Sequence, residues 1–308
     1  MNLHYARLSG YPKIFRSMTG LTVPEFEAVV DDLLPRHARA EKKRLSRPTR
    51  QRAMGAGHPF ELSPVDQLLL TIMWLRLYPT HEVLGYLFGV SDSTARRAIV
   101  TMLPLLEKSG QDTMRLPDPG KKQHCQLDAL LQALPDLVVI IDSFEQRVQR
   151  PTTRSAADAY YSGKKRQHTL KSQIAINEQT GQVVDVPDSV PGPTADIKLL
   201  DQSGLLARLP DGVGAIGDLA YVGIDKLDDR HAGAAPRRKP RGQPRPADDI
   251  AYNTAFSRRR IGVEHSIGRM RRYQAITQTD RNHRHDHTAR VRAIAGLANR
   301  QLEARRMR

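Results

Sequence analysis

Five apolar residues, Leu137-Val138-Val139-Ile140-Ile141, run without interruption into an acid, Asp142. A short continuous apolar run of this kind reads as a buried strand. Val213-Gly214-Ala215-Ile216-Gly217 repeats the arrangement and ends in Asp218. A third acid, Glu264, lies inside an arginine-rich helical stretch, Arg258-Arg259-Arg260-Ile261-Gly262-Val263-Glu264-His265. Two strand-end aspartates and one helical glutamate therefore stand out as candidate reactive groups.

The surrounding charge narrows their use. The chain has 308 residues and carries 48 Lys and Arg against 33 Asp and Glu, a net charge of +15. So large an excess implies a polyanionic partner and says nothing about fold. Contacts to phosphates release counterions, so steep salt dependence is expected. Hydrophobic residues make up 39% and charged residues 26%, ordinary for a soluble globular chain. The length suits two modest domains, or one large domain with an appendage. The one cysteine, Cys125, excludes an intrachain disulfide and a cysteine-based zinc site, which fits a reducing cytosol. Met1 to Arg7 lacks the apolar core of a signal peptide. The longest apolar stretch, Leu68 to Leu75, is broken by Thr71 and closed by Arg76, short of the roughly 20 residues that span a bilayer. The charge is therefore read as affinity for nucleic acid, with no membrane partner and a cytoplasmic setting.

The first third reads as helical. Thr22-Val23-Pro24-Glu25 is a capping box, followed at helical spacing by Phe26, Val29, Val30, Leu33 and Leu34. Arg36 to Arg52 holds eight Lys/Arg and one Glu, a net of 8 − 1 = +7. It is open between a solvated linker and a backbone-contacting arm. Ser63 caps a helix that has Pro64 at its first position, with Trp74 in its core. Thr80 caps a short helix, Gly89 ends it, and Ser91 caps the next, from Asp92 to about Leu103. Ser93, Arg96 and Arg97 lie on that helix's polar face. The pattern is a helix-turn-helix over about 63–104, or an ordinary helical hairpin.

Residues 111–136 are polar and read as a linker. Then come strands over Leu137 to Val148, Thr169 to Ile176 and Val183 to Val190, with a turn at Gln179-Thr180-Gly181-Gln182. A helix follows over Asp196 to Leu209, then a strand at Ala215 to Asp218, and a long helix over Tyr252 to Tyr273. Three strands, helix, strand and helix is the order of a ribonuclease H-like fold. The expected class is α+β: an all-α helix-turn-helix domain over 1–110, the linker 111–136, a mixed-sheet catalytic domain over 137–280, and a basic C-terminal tail over 281–308. Ser257 to Arg308 holds 14 Arg and four acids, a net of 14 − 4 = +10, and no lysine. Arginine favours bidentate phosphate recognition.

Cutting or rejoining a phosphodiester requires an activated oxygen nucleophile and a stabilised leaving oxygen. Two divalent ions roughly 3.5–4 Å apart supply both. Hard oxygen ligands suit Mg²⁺, with Mn²⁺ as a substitute. In this reading Asp142 bridges two ions, while Asp218 and Glu264 each hold one, and Arg260 and Arg271 face phosphate. Each acid also has a structural reading. Asp142 can end a strand, Asp218 can close an Asx turn, and Glu264 can pair with Arg260 at i−4.

At these residues the chain resembles the DDE transposases of bacterial insertion sequences, in particular the insertion-sequence-five group and its DDE endonuclease relatives. The matching segments are Ile141-Asp142-Ser143-Phe144-Glu145 with Gln149-Arg150-Pro151, Tyr160 through Lys171, Gly217-Asp218-Leu219-Ala220-Tyr221-Val222-Gly223, and Arg260 through Arg269. Tyr78 through Leu103 is similar to that group's helix-turn-helix. The resemblance spans about residues 15 to 300. It implies that Asp142, Asp218 and Glu264 bind metal, and that the activity is cleavage at terminal inverted repeats and joining of 3′ hydroxyls to target DNA. It also implies phosphate contacts by Lys164, Lys165, Arg166, His168 and Lys171, in a bacterial, nucleoid-associated protein that works as a homodimer or higher on double-stranded DNA. No small-molecule cofactor is expected. Two alternatives stay open: a catalytically inactive DNA-binding derivative, and a metal-dependent endonuclease without strand transfer. Ala220 stands where the pattern has glycine. Asp196 echoes the family too, but is read as a first-turn acid favoured by the helix dipole. His283, His285 and His287 are read as a solvated basic turn rather than a metal site.

Overall fold

The computed structural model describes residues 2–46, 60–121, 131 and 135–307, and Cys125 lies outside them. The chain divides into two units: residues 1–112, 272–278 and 292–308 form the first, and 113–271 with 279–291 the second. Among the described residues no helix is long and apolar enough to cross a membrane.

The first unit is built on α1 (Tyr5–Leu8), α2 (Pro12–Thr19), α3 (Val23–Leu45), α4 (Pro64–Leu77), α5 (His81–Phe88) and α6 (Asp92–Gln111). α4 is apolar on every side, and Leu68, Leu69, Leu70, Ile72, Met73, Trp74 and Leu75 are all buried. Such a helix forms the centre on which amphipathic neighbours pack. The start signals each close a hydrogen bond. The Glu25 N–H donates to Thr22 Oγ1 at 3.4 Å and the Thr22 N–H donates to the Glu25 carboxylate at 2.8 Å. Ser63, Thr80 and Ser91 accept from the N–H groups of Asp66, Val83 and Thr94. α5 ends at Gly89 with φ +69°. A Cβ on Gly85 would stand 2.7 Å from the Val90 carbonyl oxygen, so this glycine sets how tightly α6 turns back on α5.

Three sequence expectations are corrected here. Arg36 to Leu45 is helix, not linker; residues 47–52 of that stretch are outside the described residues. α3 passes through Pro35, and the Asp32 carboxylate on the preceding turn accepts from Arg36, Arg300 and Ser109. α6 continues past Leu103 to Gln111, since Pro104 faces outward while Leu106, Ser109 and Gly110 beyond it are buried. The expected tail holds a 20-residue helix, α11 (His287–Arg306). Its Val291, Ile294, Leu297 and Ala298 recur at helical spacing and are buried. α11 meets α6 through glycines: a Cβ on Gly296 would lie 2.2 Å from Gly110 Cα.

The second unit contains β1 (Leu137–Arg147), α7 (Arg154–Tyr160), β2 (Tyr161–Ser162), β3 (Gln167–Asn177), β4 (Val183–Asp185), β5 (Val190–Pro191), α8 (Asp196–Ser203), α9 (Leu205–Arg208), β6 (Val213–Ile216), β7 (Gly233–Ala234) and α10 (Ala247–Met270). Strand order is β2-β3-β1-β6-β7, with β4 and β5 also on β3. β1 runs antiparallel to β3 and parallel to β6, and β6 runs parallel to β7. This is the expected ribonuclease H-like arrangement in an α+β chain. The expected third strand is broken into β4 and β5 around Pro187, which has no N–H for the ladder. The expected helix after Asp196 breaks at Gly204, φ +62°.

Leu137, Val139 and Ile141 pack with Leu200, Leu205, Leu206 and Tyr221 on one face of the sheet. α10 lies against β1 and β3. A strand covered on both faces has no need of alternation, which accounts for the unbroken apolar run before Asp142.

His287, the last of the three histidines, is fully buried at the start of α11. Its ring nitrogens bond Ser189 Oγ and Gln146 Oε1, each at 2.8 Å. Burial pushes its pKa down to about 4 from 6.5, helped by Arg290 and opposed by Asp280. The folded pKa is the lower one, so the unfolded chain binds the extra proton. This contribution to stability is complete above pH 6.5 and is lost as pH falls towards 4, on the order of 3 kcal/mol. Thermal unfolding midpoints should fall across that window in the native chain and fall less steeply in His287→Gln; identical pH profiles would contradict this assignment.

Candidate active site

The last residues paired between β1 and β6 are Ile140 and Ile216. Asp142 and Asp218 each follow two residues later. Because the strands are parallel, both acids lie beyond the same end of the β1–β6 pairing, although Asp142 stays within β1 and pairs with Ile174 of β3. Asp142 Oδ1 accepts from the Ser143 N–H at 2.7 Å. Its Oδ2 lies 3.6 Å from Nη2 of Arg260 on α10. Burial pushes the Asp142 carboxyl up to about 6, and the charges of Asp218 and Asp196 push the same way. The Ser143 N–H and Arg260 oppose this without prevailing.

Asp218 Oδ1 accepts from the Ala220 N–H at 2.9 Å and caps the 3₁₀ turn Leu219–Tyr221. The Asx-turn reading is thus met locally. Alanine suits position 220, which is not among the residues with positive φ. Tyr221 folds back over Gly217, where a Cβ would lie 2.5 Å from its ring. Its hydroxyl donates to Gln173 Oε1 at 3.2 Å. The phenol pKa is raised by burial and then by Asp196, Asp142 and Asp218 together, so the fields of all three acids converge on it.

Asp196 is more than a first-turn acid. Ser143 Oγ donates to its Oδ1 at 2.5 Å, and Lys171 Nζ stands 3.0 Å from the same atom. Lys171 also donates to the Thr194 carbonyl at 2.5 Å. The Lys171 side chain is 8% exposed, so the expected phosphate contact is corrected to an internal ion pair. Its strand is buried continuously from Thr169 to Ile176. A lysine inside such a strand implies a buried partner, but the sequence alone does not show that the partner is Asp196.

Among the described residues Glu264 does not join Asp142 and Asp218 in a group of three acids. It is exposed, one turn beyond Arg260, in an open groove with Arg245, Ser257, Arg258 and Ile261. The α10 arginines sort by direction. Arg259 is buried on Glu178 at 2.6 Å. Arg269 donates to the Gly181 carbonyl at 2.9 Å. Arg260 turns inward to Asp142, not outward to phosphate as expected from sequence. Arg271 is exposed, with its guanidinium 5.9 Å from the centre of the Phe144 ring.

Lys164, Lys165 and Arg166 are exposed at the tip of the β2–β3 hairpin. Arg166 holds φ +53°, and Ser162 Oγ accepts from the Lys165 N–H at 3.3 Å. His168 meets Tyr161 edge-on at 5.6 Å. In the first unit, Ser93, Arg96 and Arg97 are exposed on the opening turns of α6 and line one concavity with His81 and Asp92.

Among the described residues, no three His, Cys, Asp or Glu side chains stand together as a metal cage. Asp142 and Asp218 nevertheless fit a divalent cation: both are hard oxygen donors, and Asp142 carries a burial and repulsion cost that an added cation removes.

A sequence profile described as DDE superfamily endonuclease matches residues 141–299. A second, the helix-turn-helix of DDE superfamily endonuclease, matches residues 60–112. A protein of Microchaete diplosiphon that bears the name probable transposase for insertion sequence element IS702 is 27% identical over 288 residues, 94% of each chain. A protein of Streptomyces albus G that bears the name putative transposase for insertion sequence element IS112 is 26% identical over 225 residues, 73% of this chain and 75% of its own.

The internal pair can be separated from a DNA contact by mutation. Lys171→Met and Asp196→Asn should each cost about 3 kcal/mol of stability, because each leaves a buried charge unpaired. The double variant should cost less than the sum by about 0.5–3 kcal/mol. The salt slope of DNA binding should not change in Lys171→Met. Additive stabilities, or a slope shallower by about 0.9, would return Lys171 to the DNA surface.

Proposed function

Since the chain belongs to the DDE superfamily endonuclease family, we propose that it is the transposase of a bacterial insertion sequence, cutting at its element's inverted-repeat ends and joining the freed 3′ hydroxyls to target DNA. The observation that carries this reading is that Asp142 and Asp218 both follow the last β1–β6 pair by two residues, with the charge of Asp218 acting on the Asp142 carboxyl. Asp142, Asp218 and Glu264 are the residues that would hold divalent metal, two Mg²⁺ ions, with Mn²⁺ as substitute. Such ions supply an activated attacking oxygen and a stabilised leaving oxygen for an in-line displacement.

The chain's own groups do the rest. The Ser143 N–H holds the Asp142 carboxylate in orientation, and Arg260 places positive charge beside it. Ser93, Arg96 and Arg97 read the element ends from α6, as helix-turn-helix residues near a helix N-terminus do. Lys164, Lys165, Arg166, His168 and Arg271 contact backbone phosphates, which position DNA without reading sequence. Bringing two ends together requires at least two copies on DNA. A second reading, a DNA-binding derivative that no longer cuts, is favoured by the exposed position of Glu264 in a groove that neither Asp142 nor Asp218 lines.

A supercoiled plasmid carrying the gene's own flanking DNA separates the two. With Mg²⁺ or Mn²⁺, and not with chelator, native protein should release 3′ ends at the flanking repeats. Asp142→Asn should lose cleavage by about a hundredfold or more, a barrier increase of about 2.7 kcal/mol, and keep its DNA affinity. Parallel loss of cutting and binding would make Asp142 structural; tight binding by the native chain without any cut would establish the DNA-binding derivative. Arg96→Ala with Arg97→Ala should weaken end binding by about 1–3 kcal/mol per base contact and random-sequence binding by less. An unchanged ratio between the two DNAs would remove α6 from recognition.

A further inference from the structure

The segment leading into α10, Pro236-Arg237-Arg238-Lys239-Pro240-Arg241-Gly242-Gln243-Pro244-Arg245-Pro246, carries five cations and no acid. Four prolines limit the freedom it must lose on binding. Its root is clamped to the helix. The Arg237 N–H donates to Asn253 Oδ1 at 2.8 Å, and Asn253 Nδ2 donates back to the Arg237 carbonyl at 3.0 Å. The Arg237 guanidinium bonds Asp249 at 3.1 Å and lies 4.3 Å from the centre of the Tyr252 ring. Arg237 is therefore used internally. Arg238, Lys239 and Arg241 are exposed and, among the described residues, take part in no ion pair.

The same segment ends at the groove that contains Glu264. Arg245 lines that groove, and its Nε is buried without a hydrogen-bond partner. Arg258 lines it as well, and Ile250 and Ile261, 53% and 54% exposed, give it an apolar floor. From Ala235 to Val263 the only acids are Asp248 and Asp249, and Asp249 is taken by Arg237. Ile250 and Glu264 are fourteen residues apart on one helix, about 21 Å, the axial length of about six phosphates of a B-form strand. Cations on the wall, Arg245 and Arg258, and more on the segment that leads into it, with exposed aliphatic side chains alongside, match a sugar–phosphate backbone better than a free anion.

We propose that the 236–246 loop and the α10 groove form a sequence-independent clamp on the DNA backbone, holding one strand across Glu264. This rests on the proposed function in taking DNA as the ligand. It adds a binding element distinct from the α6 surface that reads sequence, and it gives the outward placement of Glu264 a use, since the acid faces the strand it would act on.

The test is fluorescence anisotropy of full-length protein on labelled end-sequence and random-sequence duplexes across a salt series. Arg238→Ala/Lys239→Ala/Arg241→Ala should flatten the plot of log affinity against log salt by up to about 2.7, at 0.9 per phosphate contact. Arg258→Ala should flatten it by about 0.9. The preference for end over random sequence should not change. Arg238→Lys/Arg241→Lys, which keeps the charge, should keep the native slope. A native slope in the triple alanine variant overturns the clamp. So does a change in protomer number by sedimentation at unchanged slope, which would make the groove an interface between copies. Native protein with no salt-dependent DNA binding would instead fail the underlying DNA reading, while binding that survives with an unaltered slope in the variants fails the clamp alone.

Discussion

The parallel pairing of β1 with β6 is the constraint on which the rest of this molecule depends. It ends at Ile140 and Ile216, and each strand places an aspartate two residues further on. An antiparallel pairing would have sent these acids to opposite ends of the sheet. A parallel pair needs a long crossover, here supplied by β3, β4, β5, α8 and α9. That crossover also brings Asp196 to the same end and buries β1 from one side, while α10 covers β1 from the other.

Burial and charge then work against each other. The enclosure that makes β1 stable leaves Asp142 poorly solvated and close to two other carboxylates. The molecule answers with fixed positive charge, Arg260 beside Asp142 and Lys171 on Asp196. Arg260 approaches Asp142 only to 3.6 Å, beyond ordinary hydrogen-bond length. An added cation would lower the cost of charging Asp142, which is the use the proposed function makes of this site. The arginines bonded to Glu178 and Gly181 instead fix where α10 lies.

Local features were legible in the sequence because their causes are local. Thr22, Ser63, Thr80 and Ser91 each bond an N–H within three residues, so the caps and the helix starts could be read directly. The strands before Asp142 and Asp218 were legible because an unbroken apolar run is a local signal, whereas the use of the two acids was not, since each also had a structural reading. What escaped was set by distant partners. Lys171 looks like its neighbours Lys164 and Lys165 until strand pairing turns it inward to Asp196, 25 positions away. Arg260 and Glu264 share a helix face, so spacing alone did not show which would meet Asp142. α11 was hidden by composition, because its arginines outweighed a buried stripe of Val291, Ile294, Leu297 and Ala298.

The central claim is that Asp142 and Asp218 form one cation-binding centre. Mn²⁺ binding, followed by electron paramagnetic resonance in full-length protein without DNA, tests it independently of any cleavage. The account predicts binding by the native chain that weakens about tenfold or more in Asp142→Asn and again in Asp218→Asn, a loss of about 1.4 kcal/mol or more for each. Mn²⁺ affinity that is the same in the native chain and in both variants would contradict it.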